Sequence, residues 1–205
     1  MNYSSKLIEE AVNAFSSLPG IGKKSALRLT LQLLKRDVNE VEQFANAFVK
    51  MRSQMQYCLT CHNISDTFIC EICNNKNRDA SLICVVADFR DVVAIESTNQ
   101  FKGLYHVLGG LISPMDGIAP SDLNIHTLIE RAANSDTQEI IMALSATMEG
   151  DTTNFFIYKK LKDIDVKISA ISRGVSVGNE LEYTDEITLG RSILQRTPYE
   201  NSLMR

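Results

Sequence analysis

The chain has 205 residues, 44% of them hydrophobic and 22% charged, with ten glycines and four prolines. This is the composition of a folded globular protein with room for one good core, or for a core with small satellites. No apolar run approaches the about 18 residues that a membrane-spanning helix needs, and the net charge of −4 excludes a protein that is basic throughout. Glu9 and Glu10 fall where a secretory signal would be uniformly apolar. The expected location is therefore the cytoplasm, a reducing compartment that argues against disulfides.

Residues 1–54 read as helices with one break, at Leu18-Pro19-Gly20-Ile21-Gly22. Their charge is lopsided. No acid occurs between Glu10 and Asp37, whereas Lys23, Lys24, Arg28, Lys35 and Arg36 all fall there. Glycine allows a sharp turn and the close approach of another backbone, and the helix that follows begins with free N–H groups that favour a phosphate oxygen. At about 100° per residue, Lys24, Arg28 and Lys35 lie within roughly 40° of one another, with Gln32 beside them. Ala26, Leu27, Leu29, Leu31, Leu33 and Leu34 form a broad apolar face opposite, expected to be the core side. The plain alternative is a solvated basic face. Taken together, the glycine turn, the phosphate-ready helix start and the acid-free basic side favour contact with the DNA backbone. The candidate residues are Gly20, Gly22, Lys23, Lys24 and Arg28.

Residues 55–78 hold four of the five cysteines, in "YCLTCHNISDTFICEICNNKN". The pattern is C-x2-C, eight residues, C-x2-C. Two such pairs suit a tetrahedral zinc held by Cys58, Cys61, Cys70 and Cys73, each pair forming a tight knuckle with the short gap as a small hairpin. Cys58 to His62 also matches c-type haem attachment, which would need an oxidising compartment and would leave Cys70 and Cys73 idle. A redox pair belongs at a βαβ junction, which this is not. Four protein ligands leave no open position, so the expected ion is structural, one per chain. His62 is then a surface group or an outer partner of the site, and Cys84, in "LICVV", is a buried small hydrophobe.

Residues 79–172 alternate strands (82–87, 103–109, 139–145 and 166–172) with helices (91–99, 121–134 with Ser121 as N-cap, and 154–163). That alternation predicts parallel βαβ units covered by helices. Residues 173–205 contain Gly174, Gly178 and a polar strand-like stretch, then a fraying tail. No G-x-x-x-x-G-K-[ST] loop occurs, so no ATP site is expected.

Leu18 to Arg36 resembles a helix-hairpin-helix DNA-binding motif with Gly20-Ile21-Gly22 as its hairpin. Together with the four cysteines, "DVVAIE", "GLYHVLGG", "SPMDGIAPSDL" and "GVSVGNELEYTDEITLGR", it is similar to the RecR family of bacterial recombination mediators over nearly the whole chain. The departure is Lys23, where family members often carry Pro. The resemblance implies an α/β multi-domain protein. It would have a helix-hairpin-helix region (1–54), a zinc element (55–78), a Toprim-like domain with a parallel sheet (79–172) and a short C-terminal segment that packs subunits (173–205). Catalytic Toprim domains hold Mg²⁺ with a glutamate after the first strand and an Asp-x-Asp pair after a later one. Here those positions carry Ala87, followed by Asp88, and Glu149-Gly150-Asp151. An incomplete set implies no catalysis, and Glu149 and Asp151 become candidates for meeting a basic partner. The resemblance further implies a ring-shaped homotetramer with the hairpins lining the hole, RecO-like and RecF-like partners, and assistance to recombinase loading on gapped or single-stranded DNA. The rivals are a metal-dependent nuclease or primase, and a zinc-stabilised adaptor that does not bind DNA.

Overall fold

The structure, a computed structural model, describes residues 3–134, 136–176, 178, 180–196 and 198. The chain divides into two compact units, Met1–Met55 and Gln56–Arg205.

The first unit has three helices, α1 (Lys6–Ser16), α2 (Lys23–Leu33) and α3 (Val38–Gln54). The sequence suggested one break, and the structure has a second at residues 34–37. Asp37 is extended and its carboxylate accepts the Asn39 backbone N–H at 2.8 Å, an N-cap that starts a new helix. Val12, Ala26 and Thr30 are buried, but the expected core face of α2 is only partly one. Leu29 is 37% exposed, Leu31 41% and Leu34 69%. Three helices of this size enclose too little interior to cover six apolar side chains from one of them.

The second unit begins with a small antiparallel pair, β1 (Gln56–Tyr57) and β2 (Ile64–Ser65), and a short helix α4 (Glu71–Asn74). An α/β body follows: β3 (Asp79–Val86), α5 (Phe89–Ser97), β4 (Gly103–Val107), α6 (Ile125–Ala132), β5 (Glu139–Met142), α7 (Met148–Leu161), β6 (Lys167–Ala170) and α8 (Glu186–Leu194). The sheet is parallel, in the order β4-β3-β5-β6. Side chains of a strand alternate between faces, and β3 shows it. Ile83 and Val85 join a core with Leu128, Ile157 and Leu161 from α6 and α7, whereas Cys84 and Val86 join Val92 of α5 on the other face. Both faces are thus covered, as parallel sheets require.

Three boundaries differ from expectation. Ser121 does not cap α6. It lies in a 3-10 turn over Pro120–Asp122, whose Asp122 carboxylate takes the Ala119 N–H at 2.8 Å, and α6 starts after Asn124. Proline at the head of that turn and the extended Leu123 after it keep it separate from the helix. Helix α7 starts six residues earlier than its apolar pattern suggests, because Thr147 caps it through the Gly150 N–H at 3.2 Å. The stretch after residue 180 is not a strand. It forms a 3-10 turn (Leu181–Tyr183) and then α8, capped by Asp185 accepting the Thr188 N–H at 2.8 Å. Most of the expected fraying tail, residues 197 and 199–205, lies outside the described residues.

Candidate metal centre and nucleic-acid interface

The two C-x2-C turns have the same main-chain construction. The His62 N–H donates to the Cys58 carbonyl at 2.9 Å, and the Asn74 N–H donates to the Cys70 carbonyl at 3.0 Å. His62 takes a positive φ of 61° to close the first turn. The hairpin differs from expectation: β1 and β2 bracket the first knuckle instead of filling the gap between the pairs, with the Cys58 N–H bonded to the Asn63 carbonyl at 2.8 Å.

The result is convergence. The Sγ atoms of Cys58, Cys61, Cys70 and Cys73 all lie within 4.8 Å of one another, and those of Cys61 and Cys70 are 3.6 Å apart. Tetrahedral zinc with Zn–S bonds of about 2.3 Å requires sulfur separations of about 3.8 Å, so the four thiols fit the ion. Their proton chemistry points the same way. Burial raises the Cys58 thiol, but the N–H groups of Cys70, Cys61 and Thr60 outweigh it and bring it down to about 6. The hydrogen-bonded Cys73 and burial push Cys61 up, and burial pushes Cys70 up to about 11. One thiol ionises readily and its crowded neighbours then resist. A dication at the centre removes that resistance. Cys84 is apart from the cluster, 3% exposed, with its thiol pushed up to about 12 by burial.

The knuckles dock on the sheet. The Val107 N–H donates to the Cys61 carbonyl at 2.8 Å, and Ile72 packs against both the cysteine cluster and the α5-side core. His62 is half-buried, with Nε2 2.8 Å from the Thr127 hydroxyl and its ring edge-on to His106 at 5.3 Å.

In the helical unit, Gly20 has φ +79°, which an L side chain rarely adopts. Gly22 caps α2 with an ordinary φ of −78° and no side-chain cap, and an added Cβ there would meet nothing within 4 Å. The N–H groups of the first turn are thus left open. Lys23, Lys24, Arg28 and Lys35 are all exposed, and among the described residues none has a carboxylate within 4.0 Å. Lys24, Arg28, Gln32 and Lys35 share one open hollow with Leu27 and Leu31, so the cationic side and part of the leucine face adjoin. Lys35 lies just past the end of α2.

At the C-terminal ends of the strands, two of the residual carboxylates, Asp88 and Asp151, are committed, whereas Glu149 is exposed. Asp88 caps α5 through the Arg90 N–H at 2.7 Å and forms an ion pair with the Arg90 guanidinium. Asp91 completes the cap by accepting the Ala87 and Asp88 N–H groups at 3.1 and 3.2 Å. Ala87 packs against the core. Asp151 bonds to Arg173 at 2.6 Å and has Arg191 at 4.0 Å, so the arginines hold its carboxyl below the usual range. The sequence reading missed both arginines, since their pairing depends on the C-terminal segment returning to α7. Gly150, between Glu149 and Asp151, has a packing reason: a Cβ would lie 2.0 Å from the Ser145 carbonyl oxygen.

Three family models match the chain. A helix-hairpin-helix model of RecR covers residues 8–52, a Toprim domain model residues 81–172, and a C-terminal model of RecR residues 174–197. Recombination protein RecR of Flavobacterium psychrophilum is 58% identical over 202 residues, 98% of each chain. That of Phocaeicola vulgatus is 60% identical over 195 residues, 95% of each. That of Amoebophilus asiaticus is 61% identical over 199 residues, 97% of this chain and 100% of the relative. With a four-cysteine centre, a parallel Toprim sheet and these full-length likenesses, the chain belongs to the RecR family of recombination proteins.

Proposed function

We propose that the protein is a non-enzymatic recombination mediator that binds DNA through the hairpin at Gly20 and Gly22 and through Lys23, Lys24 and Arg28. The observation that carries this reading is an uncapped helix start after a left-handed glycine, with cations nearby that no carboxylate neutralises among the described residues. Such a surface meets phosphates and reads no base edge, so binding is independent of sequence. The four cysteines hold one structural zinc per chain. The parts are residues 1–54 for DNA, 55–78 for zinc, 79–172 for the Toprim body and 173–205 for subunit packing. The protein acts in DNA repair as a ring-shaped homotetramer, with RecO-like and RecF-like partners, to help load recombinase on gapped or single-stranded DNA.

Exposed apolar groups support self-association. Phe44 is 38% exposed, Phe48 54% and Met51 51%, on one face of α3 at i, i+4 and i+7, and monomers rarely leave such patches open. The pairing of Asp151 with two arginines and the alanine at position 87 support a role without metal-dependent phosphoryl chemistry. Glu149 remains the carboxylate offered to a basic partner. The test uses the zinc-loaded full chain with fluorescein-labelled gapped duplexes of two unrelated sequences. Equal binding of both, lost as salt rises, is expected. No salt-sensitive DNA binding, or cleavage of the DNA with Mg²⁺, would refute the reading.

A further inference from the structure

Arg131, near the end of α6, is a half-buried cation. Its Nη1 donates to the Tyr105 carbonyl at 2.8 Å and to His106 Nδ1 at 3.0 Å, both neutral acceptors. His106 is fully buried, its Nε2–H directed to the Asn124 carbonyl at 2.7 Å. That leaves Nδ1 as the acceptor and the ring neutral, as burial also dictates by pulling its pKa down to about 3. Among the described residues no carboxylate lies within 4.0 Å of the guanidinium. A cation withdrawn from water without a counter-charge is costly.

The adjoining element has the opposite deficit. Cys58, Cys61 and Cys70 are 0, 1 and 4% exposed, and four thiolates around one zinc form a net dianion. Backbone N–H groups turn toward its sulfurs, among them Cys70 to Cys58 at 3.3 Å and Cys73 to Cys70 at 3.4 Å, but such dipoles carry no net charge, so the excess charge stays buried. The two deficits meet on β4. Arg131 binds Tyr105 and His106, and the next residue, Val107, binds the Cys61 carbonyl. We propose that Arg131 is the fixed counter-charge of the tetrathiolate centre, positioned by Tyr105 and His106, and that it sets how firmly the zinc is held. Burial lowers the guanidinium pKa, and the four cysteines, Cys73 and Cys61 foremost, work against that loss.

The inference rests on the cysteines holding zinc, and the test separates the two. Full-length wild type, Arg131→Met and Arg131→Lys are compared by zinc release to a chromogenic chelator and by the thiolate-to-cobalt charge-transfer band after Co²⁺ substitution. A metal-free wild type would remove the zinc reading itself. With metal bound, Arg131→Met is expected to weaken zinc retention by about 10–100-fold, the usual effect of losing an outer partner of a metal ligand, and to move the band to longer wavelength. Arg131→Lys keeps the charge and is expected to stay within a few-fold of wild type with an unmoved band. Unchanged retention in Arg131→Met would overturn the inference, as would equal loss and equal band shift in both variants, since the guanidinium fork and not its charge would then matter. Should Arg131→Met fail to fold, Arg131→Lys decides: a wild-type band and retention sustain the inference, and a shifted band with lost zinc overturns it.

Discussion

Replacing Lys24 and Arg28 together with alanine tests the placement of DNA on α2. The two side chains lie one helical turn apart, both exposed and, among the described residues, both free of carboxylates within 4.0 Å, so each charge is available to a phosphate. Each neutralised phosphate contributes about −0.9 to the slope of log K against log salt on duplex DNA. Losing two therefore flattens the slope by about 1.8 per engaged subunit, and between about 50 and about 200 mM salt the wild type should lose about 12-fold more affinity than the variant. Fluorescence anisotropy with a labelled gapped duplex across that range measures both slopes. Solution mass and zinc content should not change, because neither side chain is buried. The matched control is alanine at Lys160 and Lys162 on and just after α7, which removes the same charge from the Toprim body. If the control flattens the slope as much as the α2 pair does, the hairpin is not the DNA site.

Cys61→Ser should leave the protein without stoichiometric zinc by elemental analysis and unfold the 55–78 element, since structural zinc contributes on the order of 10 kcal/mol to small elements; full zinc content in that variant would contradict the four-thiolate centre. Gly150→Ala must push α7 off the Ser145 carbonyl, 2.0 Å from the new Cβ, and should cost about 3 kcal/mol, seen as a Tm drop of about 6–12 °C. Glu96 is held below the usual carboxylate range by Arg78, against burial and with help from the Tyr105 hydroxyl at 2.7 Å. Its stabilisation is complete above the ordinary value of 4.5 and fades as the pH falls through the lowered one. Glu96→Gln should thus destabilise at neutral pH by about 3 kcal/mol, and the gap from wild type in denaturant unfolding should shrink steadily as the pH falls below 4.5.

The strands and the metal element were legible because each is written locally. The apolar run at residues 82–87 is buried on both faces whatever surrounds it, and two C-x2-C turns close on their own carbonyls. Helix starts were harder, since Thr147 and Asn124 sit outside any apolar period. The leucines of α2 misled for a different reason: periodicity says which side chains share a face, but not whether the unit has enough mass to cover them. Arg131 and Arg173 carried no local signal at all. Each is an ordinary surface-type residue until the fold brings Tyr105 or Asp151 beside it, and only contacts distant in sequence reveal what it binds.

The docking of the knuckle on β4 also bears on solubility. β4 is an outer strand of the sheet, and such a strand displays a row of main-chain groups that can recruit another chain. Here the Val107 N–H is taken by the Cys61 carbonyl, the Val107 carbonyl by the Asn124 side chain at 3.1 Å, and the Tyr105 carbonyl by Arg131. One of these three stoppers is itself shaped by the four thiolates. Stripping the ion therefore frees an edge for pairing as well as loosening a small element, and the first visible sign of metal loss should be aggregation through β-strand addition, ahead of any melting of the sheet behind it.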